Sequence, residues 1–470
     1  MTRTEKVIAA FILLTAPLVI YALARLQPTF DDWTYLTYPN EDPQWQRYFL
    51  PYGSYWRPID ALIGYVLALD LRLFPTLNHI LIYLAHLTGM LMVYLIGRRL
   101  QYTLLSRIIA PLFFLLSPAM LGAVLDIDSI NQVLSSTLGL IALWCYLGPS
   151  KHRLWLWPTL CLLATLAKEN GICWLFIVPL LGYAFHITNR RQLRRHLAIA
   201  LGCVVAYSAI RLSLPNGYAL DENQYLTATF TDKLNNVAKF LILSFSCVDF
   251  ISLFHQPSRH IPFLLLTLLL SIPFIYLLVR RGIAHLKERE TLVLLLTILL
   301  AASPHLLTLF STMHAYAALG LIALLVGHIL NRGSIGRRTI TVTFAMYMAS
   351  ALMVDARHYT KAYDSGMTGY RMAESVILQA HKPANKVWCI CIDNGEKKYS
   401  SFCVIPYDAF GWGNAVYLHT HHRWPTLLRN ETITTADARA HLAHIVGQRL
   451  AQGYDQVWIV DGKEVKVIEK

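Results

Sequence analysis

Charge is what this sequence has little of. Charged residues make up 15% of its 470 positions, against about a quarter in soluble domains. Such a chain cannot clothe a water-facing surface. Acid is scarcer than base, 28 Asp+Glu against 41 Lys+Arg, a formal charge of +13. In a soluble chain that excess points to nucleic acid. Here the basic residues sit in short segments between apolar runs, which argues against nucleic acid. A hydrophobic share of 55% excludes disorder. The chain also shows no P-loop, no dinucleotide glycine fingerprint and no internal repeat, which gives no sign of a P-loop NTPase, a Rossmann-type dinucleotide binder or a solenoid. A polytopic membrane protein remains.

A membrane helix needs roughly 17–25 mostly apolar residues. Spans read at about 7–26, 78–97, 106–123, 130–147, 153–167, 171–187, 196–213, 261–280, 291–310, 315–330 and 338–354, about eleven in all. The pair 153–167 and 171–187, joined by Lys168-Glu169-Asn170, fits a re-entrant hairpin equally well. Residues 1–6, 98–107, 148–153, 188–196, 280–290 and 331–338 hold 18 Lys/Arg in 50 residues, while the opposite loops hold 7 in 113. By the positive-inside bias the N-terminus is cytoplasmic and, after eleven spans, the C-terminus is exoplasmic. Ala22-Leu23-Ala24 imitates a signal-peptidase site, but the first apolar run is long for a cleaved leader. A bacterial inner membrane and a periplasmic tail are the expected setting.

The membrane module therefore spans 1–354, with external loops at 27–77 and 214–260, and a small α+β exoplasmic domain at 355–470. Within the first loop, 58–74 is apolar but interrupted by Asp60, Asp70 and Arg72, the pattern of an interfacial helix; 237–254 looks similar. In the tail, 386–393 and 401–407 read as a strand pair, 434–453 as a Thr-capped helix ending in Gly, and Asp461-Gly462 as the turn of a closing hairpin. Centring that first hairpin on its loop puts Cys391 opposite Cys403, and a disulfide between them is expected. The Cys of the apolar spans read as packing residues.

Chemistry concentrates in the first loop: Phe30-Asp31-Asp32-Trp33, Asn40-Glu41-Asp42-Pro43, then Ser54-Tyr55-Trp56-Arg57-Pro58. Adjacent carboxylates beside a span are costly to place. They can take a proton, hold a divalent cation such as Mg or Mn, or orient a substrate cation; a solvated helix cap is the alternative. In an extended segment neighbours face opposite sides, so one carboxylate faces the site while the other braces it. Asp32 is the choice for chemistry, because Trp33 beside it can exclude water, with Asp31 in support. Arg57 can grip a phosphate at the membrane surface, or snorkel to head groups. His419, His421 and His422 place imidazoles at strand spacing, but without a matching Cys or carboxylate no metal site is assigned. The Gly411-Trp412-Gly413 turn, with Phe410 and Tyr417, suits either a stacked sugar ring or a small aromatic core.

These residues resemble a known pattern. FDDW…NEDP…SYWRPI…FPTLNHILIYLAH is similar to the first luminal loop and second span of the GT-C glycosyltransferases. The likeness is to the branch of protein O-mannosyltransferases with tetratricopeptide tails and their bacterial relatives. Lys168-Glu169 resembles that branch's Lys-Glu motif. Ser303-Pro304-His305 and Met313-His314-Ala315-Tyr316 stand where the branch tends to carry a Glu-Arg-Tyr-Leu-Tyr-like segment, whose Arg is missing here. Trp56 is inserted in the second motif, and no tetratricopeptide repeats follow.

The resemblance implies an inverting transferase that moves a sugar from a polyprenyl-phosphate-linked donor to a lipid, glycan or protein acceptor on the exoplasmic face. Arg57, Lys168 and His305 would hold the donor phosphate, with Glu169, His79, His314 and Tyr316 supporting. No cofactor beyond that divalent cation is expected, and the chain is expected to be a monomer among membrane lipids. The rivals are a lipid-linked sugar flippase and a non-catalytic envelope-glycan assembly protein. A flippase needs polar residues along the bundle centre, where this sequence is nearly uncharged.

Overall fold

The computed structural model describes residues 2–29, 32–33, 35–36, 49–51, 55–68, 76–149, 153–215, 229–248, 257–308, 310–332, 336–395, 408–411, 414–421 and 423–470. Helix α1 (Arg3–Leu23) starts at a Thr2/Glu5 capping box, which satisfies two orphan amides at once. Pro58 opens α2 (Pro58–Ala68), since the first helical position needs no N–H. Then come α3 (Thr76–Arg99), α4 (Leu104–Leu116), a 3₁₀ turn at Pro118–Met120, α5 (Leu121–Val124), α6 (Ile130–Tyr146) and α7 (Arg153–Ala167). A second 3₁₀ turn (Glu169–Cys173) leads into α8 (Trp174–Ala184), α9 (Arg190–Ser213), α10 (Phe230–Phe245), α11 (Pro257–Ala284) and α12 (Arg289–Leu306). A third (Thr312–Ala315) precedes α13 (Tyr316–Asn331) and the 43-residue α14 (Arg337–Gln379).

The expected spans fall on helices, but fewer than eleven of these helices are long enough to cross a bilayer. Among the described residues seven helices are long and apolar enough to cross a bilayer, or eight with α4 and Pro118–Val124 taken as one span bent by 44°. The apolar segments Ile130–Tyr146, Leu154–Ala167 and Glu169–Ala184 are shorter. The last two form a hairpin whose Lys168-Glu169 tip reaches the site described below.

The basic segments collect at one end. The Arg99 guanidinium lies 4.1 Å over the Trp144 ring, Arg289 donates to the Ala184 carbonyl at 2.9 Å, and Arg332 pairs with Glu288 at 3.3 Å. At the other end the 3₁₀ turn before α13 presses on α5, where Gly122 leaves no room for a Cβ against Thr312 and Met313.

Helix α14 does not stop at residue 354. It continues through the expected domain boundary, and its packing partners change along its length. Val354 and Ala362 belong to the bundle core, whereas Met372, Ala373 and Val376 belong to the core of the tail. The tail adds β1 (Lys386–Asp393), short α15 (Asp408–Gly411) and α16 (Ala415–His419), β2 (Leu427–Thr434), α17 (Thr435–Ala451), β3 (Gln456–Asp461) and β4 (Glu464–Glu469). The sheet order is β2-β1-β3-β4. Thr434 caps α17, and Gly462 takes the positive φ of the β3–β4 turn, both as expected.

The expected pairing of 386–393 with 401–407 is corrected. Strand β1 has β2 on one edge and β3 on the other, both parallel, so no edge remains for it. With that hairpin goes the argument for Cys391–Cys403. Cys391 is a buried free thiol whose sulfur lies 3.8 Å from that of Cys389; Cys403 lies outside the described residues. His419 ends helix α16 rather than lying on a strand, so the i, i+2 strand spacing imagined for its imidazoles does not occur. His422, Trp412 and Gly413 are outside the described residues.

Candidate functional site

Three chain segments meet at the loop end. The first loop enters α2 with Arg57 just before Pro58; the α5–α6 connection carries Asp126 and Asp128, and the first turn of α6 carries Asn131; the α7–α8 tip carries Lys168 and Glu169. Arg57 Nε donates to both oxygens of Glu169, each at 2.8 Å, and its guanidinium lies 4.4 Å over the Tyr55 ring. Glu169 also accepts the Trp56 amide at 3.2 Å. Lys168 is 5% exposed. Its ammonium donates to the neutral Asn131 Oδ1 at 3.0 Å and lies 3.8 Å from Met313 Sδ.

Asn131 turns its amide nitrogen to Asp60 Oδ2 at 3.1 Å and to the Asp128 carbonyl at 2.8 Å. Asp60 is thereby held one hydrogen-bonded residue away from Lys168. Its other oxygen, Oδ1, is buried and makes no hydrogen bond among the described residues, although the buried Tyr35 hydroxyl stands near this carboxyl. Burial pushes the Asp60 carboxyl up to about 6, with Asp128 adding to the rise while Arg57, Asn131 and Lys168 pull it down. Burial and the neighbouring Arg57 bring Lys168 down to about 8, against the pull of Asp128, Glu169 and Asp60. Both groups thus titrate far closer to neutrality than they do in water.

Asp32 is fully buried and differently engaged. Its Oδ2 accepts the Thr29 amide at 2.9 Å, and its Oδ1 accepts the amides of Ile127 and Asp128 at 2.7 and 3.0 Å. Burial and the Asp128 charge raise its carboxyl well above the usual range, opposed by the three amides. This carboxylate ties the first loop to the turn that carries Asp128. Asp31 lies outside the described residues, as do Asn40, Glu41, Asp42 and Ser54.

His305 and His314 stack with ring centroids 4.0 Å apart, and His314 follows the Met313 that touches Lys168. Ser311 donates its amide to His314 Nδ1 at 3.0 Å, while His305 Nε2 is buried without a partner. The structure therefore brings together Asp32, Arg57, Lys168, Glu169, His305 and His314. It does not bring in Tyr316, whose hydroxyl bonds His86 Nδ1 at 2.8 Å inside the bundle. His79 is fully buried at the head of α3, with both ring nitrogens unpartnered. Among the described residues no group of three His, Cys, Asp or Glu side chains is placed to hold a metal ion.

Sequence reasoning passed over Asp128 and Asn131, and took Asp60 only as an interruption in an apolar helix. The signal was present: Asp126 and Asp128 stand in LDIDSIN between two apolar runs. That is the same costly placement that singled out the first loop.

The bundle and its tail share their fold with a solved membrane-protein structure. The structure is similar to that of ArnT from Cupriavidus metallidurans bound to undecaprenyl phosphate, with TM-score 0.54, 11% identity, and coverage of 99% of this chain and 98% of that one. The Archaeoglobus fulgidus oligosaccharyltransferase in its apo form matches at TM-score 0.45 and 13% identity, over 89% of this chain and 64% of that one. No family model matches the sequence, nor does any curated protein.

Proposed function

We propose that this chain is an inverting glycosyltransferase that takes its sugar from a polyprenyl-phosphate-linked donor. The observation that carries the reading is Lys168, a buried ammonium whose hydrogen bonds among the described residues go to a neutral amide oxygen and a thioether, with Asp128, Glu169 and Asp60 further off. Beside it stands Arg57, at the loop end of a GT-C fold. A lipid phosphate lies at head-group depth and needs cations there. In this reading Lys168 and Arg57 hold the donor phosphate, and His305, stacked on His314, lines the same side.

The acceptor attacks the anomeric carbon opposite the phosphate, and the C–O bond to phosphate breaks with its electrons going to the phosphate oxygen. A hydroxyl acceptor gives up its proton to a carboxylate. Asp60 suits that step, with one buried oxygen that makes no short hydrogen bond among the described residues and a carboxyl near 6. Asp32, its oxygens occupied by amides, fixes the turn bearing Asp128. An acceptor phosphate needs no base. The proposed setting is the bacterial inner membrane, with the basic end cytoplasmic and the tail periplasmic.

The test is mass spectrometry of lipids that co-purify with the protein, followed by transfer of labelled sugar from the donor found, in detergent. Transfer supports the reading; donor binding without transfer favours a flippase or an assembly protein.

A further inference from the structure

The tail domain does not build its hydrophobic core from its own residues alone. Trp33, Leu36 and Ile127 belong to the same buried cluster as Met372, Phe410 and Trp458. Trp33 is fully buried, and a Cβ on Gly369 of α14 would lie 3.0 Å from its Cζ2. The His419 ring lies 6.4 Å from the Trp33 ring and 4.6 Å from that of Tyr370, the residue after Gly369. Next to Trp33 in sequence is Asp32, which accepts the amide of Ile127, itself a member of that cluster, and the amide of Asp128.

We propose that the tail is a positioning element of the transfer site: Gly369 and His419 seat Trp33, which through Asp32 sets the turn carrying Asp128. The tail then acts on turnover rather than on capture of the acceptor. A densely packed contact transmits displacement because the interior has no slack, and Asp32 has three amide bonds that move with it. This rests on the glycosyltransferase reading for its kinetic arm, so a second arm is independent of activity.

The experiment uses the full-length protein in detergent, with Gly369→Val wedging a branched side chain against Trp33 and His419→Ala removing the neighbouring ring. Hydrogen exchange is followed by mass spectrometry on a peptide containing the Ile127 and Asp128 amides. Exchange there is expected to quicken about tenfold, with basic-end peptides unchanged. Where the wild type transfers sugar, kcat is expected to fall about tenfold or more while KM for donor and acceptor changes less than about threefold.

Unchanged exchange at 127–128 overturns the proposal whether or not the protein transfers sugar. A raised acceptor KM at normal kcat also overturns it, assigning the tail to acceptor binding. A wild type without transfer, but with quickened exchange in both variants, refutes the enzyme reading and leaves the positioning intact. If neither variant accumulates, Trp33→Phe keeps a ring in place and must show the same faster exchange; wild-type exchange in it refutes the coupling.

Discussion

Both ends of the bundle pair charge, as Arg57 and Glu169 do at the loop end, but the loop end also buries an ammonium against neutral partners. At the basic end, Arg332 reaches Glu288 at 3.3 Å and Glu290 at 3.6 Å, with Arg332 43% and Glu288 33% exposed. Opposite charges meet there in partial contact with water, where such pairs contribute little. At the loop end, Lys168 is buried against a neutral amide and Asp60 keeps one occluded oxygen that makes no hydrogen bond among the described residues. Charges left incompletely matched in a low-dielectric place are costly. On the proposed reading, the contrast separates charges that set topology from charges held for the donor.

The largest break in that comparison should come from Asp60→Asn. It keeps the shape and removes proton affinity, so single-turnover transfer to a hydroxyl acceptor should fall by roughly 10²–10⁴. Its stability should move the other way. Folding raises the Asp60 pKa to about 6, so the ionised form burdens the fold above the ordinary carboxylate range, and that burden grows as pH rises through the folded pKa. The amide variant should melt higher than wild type at pH near 8 and equally in acid, measured by thermal unfolding in detergent.

Next in size are Lys168→Ala and Arg57→Ala. Each removes one charge-assisted phosphate contact, about 1.5–3 kcal/mol, or roughly ten- to a hundredfold at limiting donor. Wild-type rates in both would remove the phosphate clamp. Asp32→Asn sharpens the comparison within the acids. An amide nitrogen cannot accept from a backbone N–H, so one buried donor is orphaned and stability should drop by about 1–3 kcal/mol. A folded, stable Asp32→Asn with lost turnover would instead return the base to Asp32.

The pH profile follows with a gentler effect. Transfer should fall below about 6 as Asp60 gains its proton and donor affinity should weaken above about 8 as Lys168 loses its charge. The result is a bell that Asp60→Asn strips of its acid limb. Smallest of all, Arg332→Ala at the basic end should change stability by less than about 0.5 kcal/mol and leave transfer untouched.

Span positions were legible because a bilayer imposes one strong local requirement, and α1, α3, α9 and α11 meet it from their own residues. The reach of α14 was not. Its sequence turns polar at Asp355-Ala-Arg-His-Tyr, which reads as an exit from the membrane although the backbone carries on as helix in a new environment. The tail's hairpin at Asp461-Gly462 was readable from adjacent residues, whereas β1 finds partners about 40 and 70 positions away. Local pattern cannot rank such distant pairings. The site divides likewise. Asp32, Arg57 and Lys168 announced themselves as misplaced charge, but the Arg57–Glu169 pair joins residues 112 apart, and the Asn131 bridge between Lys168 and Asp60 exists only once three segments meet.

The unbroken length of α14 has a mechanical side. Forty-three helical residues make a rod of about 65 Å, roughly twice the hydrocarbon thickness of a bilayer. A tilt of about 5° at the basic end would sweep the far end through about 6 Å. Because Gly366 and Gly369 on that far half touch Gln27 and Trp33, the rod is a lever with the acidic loop at its working end. Lipids that change bilayer thickness, and with it helix tilt, would press on that lever without touching the site.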